Sequence, residues 1–67
     1  MPHILRLKEL RERRGLTQTE LAKLSGVSRA TIARYEAGEQ HRPHSKTVRK
    51  LARALKARPE ELFGPLL

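Results

Sequence analysis

The stretch Leu16 to Gly38, L-T-Q-T-E-L-A-K-L-S-G-V-S-R-A-T-I-A-R-Y-E-A-G, constrains the fold most, because it starts and stops two helices in quick succession. Thr17 and Glu20 form a capping box, in which each side chain satisfies the other's free backbone N–H, and Leu16 with Leu21 supplies the apolar staple. A second helix therefore begins at Thr17, carries Leu21, Ala22 and Leu24 inward, and ends at Ser25-Gly26. Val27, Ser28 and Ile32 repeat the staple and cap, so a third helix runs from about Ser28 to Ala37 and stops at Gly38. The few residues between the two helices make a tight connection, which joins helices that cross steeply.

The flanking sequence is also helical. Ile4, Leu7 and Leu10 recur at three-residue spacing until Gly15 admits the left-handed conformation that closes a helix, so the first helix spans about Ile4 to Arg14. Glu39 to His44 reads as a loop, since it is polar and Pro43 biases Arg42 away from helical backbone. Ser45 is then placed to cap a fourth helix with the apolar stripe Val48, Leu51, Ala52 and Leu55. Pro59 suits the first position of a short fifth helix, Glu60 and Glu61 favour its dipole, and Gly64-Pro65 ends it. β-alternation is absent. These signals predict an all-α chain with one domain over residues 1–67 and a core of about 4–63.

Size and charge narrow the function. A chain of about 60 residues buries only about 60% of its unfolded surface, which leaves no room for a deep catalytic cavity. No enzyme is expected, because no His, Ser, Lys and Glu constellation has a pocket to work in. The absence of Cys removes disulfides, zinc-thiolate sites and thiol catalysis and points to a cytoplasmic protein. No apolar run approaches the ~20 residues that span a bilayer. The narrow apolar stripe of the fourth helix, which lacks Trp, also argues against a membrane surface. His3, His41 and His44, with no Cys or Asp beside them, do not make a metal site, and no cofactor is called for.

Fifteen Lys and Arg against seven Glu give a net charge of +8, which makes polyanions the expected partners. Gln40 to Arg58 holds seven basic residues and no acid, and so carries +7 of that total. Such a face either attracts nucleic acid or merely solubilises the helix. Only Tyr35 and Phe63 are aromatic, too few for the stacking platforms that grip single strands, so duplex DNA is favoured.

The sequence resembles the phage-repressor and Cro type of helix-turn-helix protein, also called the xenobiotic-response-element type. The residues that carry the likeness are Thr17-Gln18, Glu20-Leu21-Ala22, Gly26-Val27-Ser28, Ile32, Glu36 and Gly38, followed by Arg42-Pro43 and a fourth helix. The likeness covers about Ile4 to Phe63, with the helix-turn-helix at about 17–37.

What it implies is a compact five-helix domain of the lambda-repressor-like type, a double-stranded DNA-binding regulator expected to act as a repressor. Its third helix would lie in the major groove. Arg29, Ala30, Ala33 and Arg34 lie away from the Val27, Ile32 and Tyr35 anchors and would face the bases, with Arg29 and Arg34 reading guanine through their forked N–H groups. Their alternative is a solvated charge, or for Arg34 an ion pair with Glu36 or Glu20. Thr17, Gln18, Ser28, Thr31 and His44 are the candidates for backbone phosphates, although Thr17 and Ser28 also serve as caps and Thr31 alternatively reaches a base or faces solvent. Gln18 shows no structural task. Arg42 resembles a loop arginine directed at the minor groove, or is an ordinary loop charge. Arg11 and Glu36 match a pair that forms a buried salt bridge in related repressors.

The resemblance also implies a homodimer on a two-fold symmetric operator, formed either in solution or only on DNA. The apolar end Leu62, Phe63, Pro65, Leu66 and Leu67 is the candidate dimer interface, unless it simply covers the core. No length remains for a ligand-sensing domain, so small-molecule induction is not expected. The rival reading is an antitoxin-like interaction subunit that binds DNA mainly together with a partner protein.

Overall fold

The computed structural model describes residues 6–38 and 44–63. Among them the chain forms α1 (Leu7–Arg13), α2 (Gln18–Ser25), α3 (Arg29–Glu36), α4 (Ser45–Ala54) and a 3₁₀ turn over Pro59–Leu62. The expected fifth helix is thus only a four-residue turn. Its bonds run three residues back, Glu61 N–H to Arg58 carbonyl at 2.9 Å and Phe63 N–H to Glu60 carbonyl at 3.3 Å. Between Pro59 and Gly64 the sequence is too short to propagate an α-helix, so the tighter turn wins.

Local chemistry sets most of the boundaries. At the start of α2, Thr17 Oγ1 accepts from Glu20 N–H at 3.0 Å while Thr17 N–H donates to Glu20 Oε1 at 2.8 Å. Helix α3 opens on Ser28, whose Oγ accepts from Thr31 N–H at 3.1 Å. Helix α4 departs from expectation, because His44 and not Ser45 holds the capping position, and it makes no side-chain bond to the helix. Ser45 is already the first helical residue, so its hydroxyl no longer faces the free N–H groups ahead of it.

Two helices end alike without the same residue. After α1, Gly15 N–H bonds to Glu12 carbonyl and Leu16 N–H to Arg11 carbonyl, with Gly15 left-handed at φ +69°. After α4, Lys56 N–H bonds to Arg53 carbonyl and Ala57 N–H to Ala52 carbonyl, with Lys56 left-handed at φ +54°. Both are Schellman closures, and the second forces a side chain into backbone space that favours glycine.

Leu7, Leu21, Ile32, Leu51, Leu55 and Leu62 are fully buried, with Val27, Tyr35, Val48 and Ala52 around them. Each helix and the final turn gives at least one of these, and burying each Leu or Ile contributes roughly 1.5–3 kcal/mol. Arg6 N–H donates to Leu62 carbonyl at 2.6 Å, which ties the beginning of α1 to the last turn. Leu24 does not point inward as the pattern suggested, being 62% exposed. It lies on the last turn of α2 beside an open groove lined by Ser25, Lys50, Arg53 and Ala54, where α4 fails to cover it. Ile4, which the pattern assigned to the first helix, lies outside the described residues.

Candidate nucleic-acid interface

The turn between α2 and α3 decides how α3 is presented. Gly26 takes the left-handed conformation at φ +77°, and Val27 N–H donates to Ser25 Oγ at 3.1 Å. Val27 and Ile32 then bury against the core and fix the roll of α3. Ile32 and Tyr35 occupy its inner side, so the 100° step per residue puts Arg29, Ala30, Ala33 and Arg34 on the outer side. Arg29, Ala30 and Arg34 are exposed and Ala33 is half-buried.

The guanidinium groups of Arg29 and Arg34 have no hydrogen-bond or ion-pair partner among the described residues. Both acids considered as partners for Arg34 are held elsewhere, Glu20 in its capping box and Glu36 by Arg11. Small alanines between the two arginines leave a shallow outer face, from which two long cationic forks project. That shape suits insertion into a groove.

A polar cluster fixes the other end of α3. Arg11 Nε donates to Glu36 Oε2 at 2.7 Å, Arg11 Nη2 to Glu36 Oε1 at 3.0 Å, and Arg11 Nη1 to Leu16 carbonyl at 2.7 Å. The pair is nearly dry, with side-chain exposures of 11% and 5%. Gln18 Nε2 adds a third donor, at 3.0 Å from Glu36 Oε1. Gln18 thus has a structural task that the sequence did not reveal, because its partner lies eighteen residues away in the chain.

Burial pushes the Glu36 carboxyl up, but the hydrogen bonds from Arg11 and Gln18 and the charges of Arg11 and Lys8 outweigh it. The group is held below its ordinary value and stays ionised. The Glu36 hydrogen bond likewise raises Arg11, against the opposing effect of burial.

The remaining phosphate candidates divide. Thr17 is exposed and its hydroxyl hydrogen has no acceptor among the described residues, whereas Ser28 donates its own to Thr31 Oγ1 at 2.8 Å. Thr31 is half-buried and His44 exposed. Arg42, His3 and His41 lie outside the described residues. Among the described residues no three His or acidic side chains gather as a metal site, and no helix is long and apolar enough to cross a membrane.

On α4, the side chains of Lys46, Arg49, Lys50 and Arg53 are exposed and without ion-pair partners among the described residues. The candidate dimer interface needs correction at Leu62, which is fully buried and belongs to the core. The turn that carries Leu62 packs against α4, and the Arg6 N–H bond to its carbonyl ties that turn to the start of α1. Phe63 is half-buried against the same core. Pro65, Leu66 and Leu67 lie outside the described residues.

Two packed helices joined by a three-residue turn, capped at both starts and carrying an exposed basic face on the second, define a helix-turn-helix protein. The sequence model of the helix-turn-helix family matches residues 7–62, and the chain belongs to that family. The transcriptional repressor RghR of Bacillus subtilis is 49% identical over 57 residues, which are 85% of this chain and 42% of that protein. A second Bacillus subtilis regulator, RghRB, is 46% identical over 58 residues and again only 42% of it is spanned. This chain therefore covers less than half the length of those two relatives. An uncharacterised regulator of Archaeoglobus fulgidus is nearer in size, 45% identical over 87% of this chain and 81% of its own.

Solved structures give the same family. The restriction-modification controller protein C.AhdI of Aeromonas hydrophila superposes with a TM-score of 0.80 at 43% identity, over 87% of this chain and 86% of its own. The P22 c2 repressor, solved with a synthetic operator, superposes with a TM-score of 0.76 at 30% identity, over 85% of each chain. The fold is lambda-repressor-like.

Proposed function

We propose that this chain is a sequence-specific binder of double-stranded DNA that regulates transcription, with repression as the favoured outcome. The observation that carries the reading is the outer face of α3, where Arg29 and Arg34 stand exposed and without partners among the described residues, on either side of Ala30 and Ala33. In the major groove each guanidinium can donate two N–H groups to guanine O6 and N7, and Ala30 can rest against a thymine methyl. Thr17, Gln18, Ser28 and Thr31 would set the register on phosphates near the starts of α2 and α3, and Arg42 and His44 would extend the contact beyond them. The basic outer face of α4 contributes long-range attraction that falls with salt.

One eight-residue helix reads few bases, so two copies are expected to bind a two-fold symmetric operator. With Leu62 committed to the core, pairing would fall to Phe63 and the residues after it. The domain acts in the cytoplasm by binding alone, without a catalytic step, cofactor or small-molecule ligand.

Selection of bound sequences from a randomised duplex pool at about 0.15 M salt tests this, because purely phosphate-driven binding is already weakened there. A two-fold symmetric motif with G·C pairs in each half is the expected result. Failure to enrich any motif would remove the reading and favour the subunit that needs a partner protein.

A further inference from the structure

Glu36 sits at the last residue of α3, away from the outer face that carries Arg29 and Arg34, yet its carboxylate gathers donors from α1 and from the first residue of α2. We infer that Glu36 is a positioning residue for DNA binding, which acts by holding the Gln18 side-chain amide ready for a backbone phosphate. The inference rests on the DNA-binding reading above and adds to it a residue that never touches DNA.

The chemistry of the amide carries the argument. Gln18 Nε2 bears two hydrogens, and one of them is used on Glu36 Oε1 at 3.0 Å. The other has no acceptor among the described residues, and the side chain is only half-buried. Because the acceptor is a carboxylate, the nitrogen and not the oxygen of the amide must turn towards it. The second hydrogen is then fixed in the amide plane, as a donor with one free direction.

The anchor itself is rigid. Arg11 grips Glu36 through two nitrogens and Leu16 carbonyl through a third, and Leu16 lies two residues before Gln18. A free Gln side chain would lose considerable rotamer freedom on binding, among the largest such losses of any residue. Here that ordering has already occurred on folding, so a phosphate meets a preorganised donor. Arg11 also neutralises Glu36, which keeps the carboxylate from repelling the phosphate that Gln18 would bind.

The test uses the duplex selected by the wild-type protein and a scrambled duplex of equal length. Removing Glu36 alone would strand the buried Arg11 charge, so the anchor is removed as a pair, Arg11→Met with Glu36→Met, a change from ion pair to apolar isosteres that buried sites often tolerate. Gln18→Ala is expected to weaken binding of the selected duplex by about tenfold for each half-site, the size of one charge-assisted hydrogen bond. The Met pair should weaken it by a similar factor, and adding Gln18→Ala to the Met pair should cost nothing more. A methylphosphonate scan should find one phosphate per half-site whose neutralisation weakens the wild type and leaves Gln18→Ala unchanged.

If the losses from the Met pair and Gln18→Ala instead multiply, or if no such phosphate exists, the inference is overturned while the DNA-binding reading stands. If the wild type selects no duplex, the reading itself fails. Should the Met pair not fold, the side-chain amide signals of Gln18 in the wild type decide the matter. One hydrogen should shift on adding the duplex while its Glu36-bound twin holds still, and equal shifts or none would overturn the proposal.

Discussion

Helices α3 and α4 are both short, exposed on one side and studded with arginine, yet they are held differently. Helix α3 is fastened at both ends by side chains, Ser28 at its start and the Arg11–Glu36 pair at its finish. Helix α4 has no side-chain cap at His44 and rests on the burial of Val48, Leu51, Ala52 and Leu55. Their outer faces differ as well. Alanine separates the arginines of α3, whereas Lys46, Arg49, Lys50 and Arg53 crowd α4 with long cations. The fastened, shallow face is suited to reading bases, and the crowded one to supplying charge.

The largest effect should come from unfastening α3. Arg11→Ala leaves Glu36 buried without its partner and is expected to lower stability by roughly 3 kcal/mol or more, read by thermal and urea unfolding. An unchanged melting temperature would show that the pair does not hold the helix. The same pair sets a pH dependence. Glu36 is depressed in the folded state, so its contribution is present above the ordinary carboxylate value of about 4.3 and is lost as pH falls through the lower folded value. Wild-type stability should therefore fall more steeply below about pH 4 than that of the Met-pair variant, which has no such group.

Next in size is the loss of a proposed base reader. Arg29→Ala should weaken the selected duplex by about 1–3 kcal/mol and the scrambled duplex far less, measured by fluorescence anisotropy. The matching change on α4, Lys50→Gln with Arg53→Gln, should weaken both duplexes alike and flatten the salt dependence by about 0.9 for each phosphate contact removed. A sequence-dependent loss from the α4 variant would erase the distinction between the two faces.

The smallest effect comes from giving α4 the cap it lacks. His44→Ser is expected to stabilise the fold by about 0.5–1 kcal/mol, seen as a higher urea midpoint with an unchanged slope. A loss of stability would mean that the imidazole has a role at that end.

What could be read in the sequence follows from range. The caps at Thr17 and Ser28, the staples at Leu16 and Val27 and the Gly26 turn all work within five residues, so the sequence displays them directly. The outer face of α3 followed, since Ile32 and Tyr35 fix its roll by periodicity. The bond from Gln18 to Glu36 joins two helices across eighteen residues, and no local pattern encodes it.

Leu24 and Leu62 mark a second limit. Both are leucines on short elements, but only tertiary packing decides that the first stays exposed beside α4 and that the second is fully buried. The end of α4 was hidden because Lys56 takes the left-handed position usually signalled by glycine.

The most direct test of the central claim repeats the duplex selection with two variants, Arg29→Ala and the Lys50→Gln, Arg53→Gln pair. The first should yield a motif that has lost its G·C preference at one position in each half-site, and the second should yield the wild-type motif at lower affinity. Identical motifs from wild type and Arg29→Ala would contradict the assignment of base reading to α3.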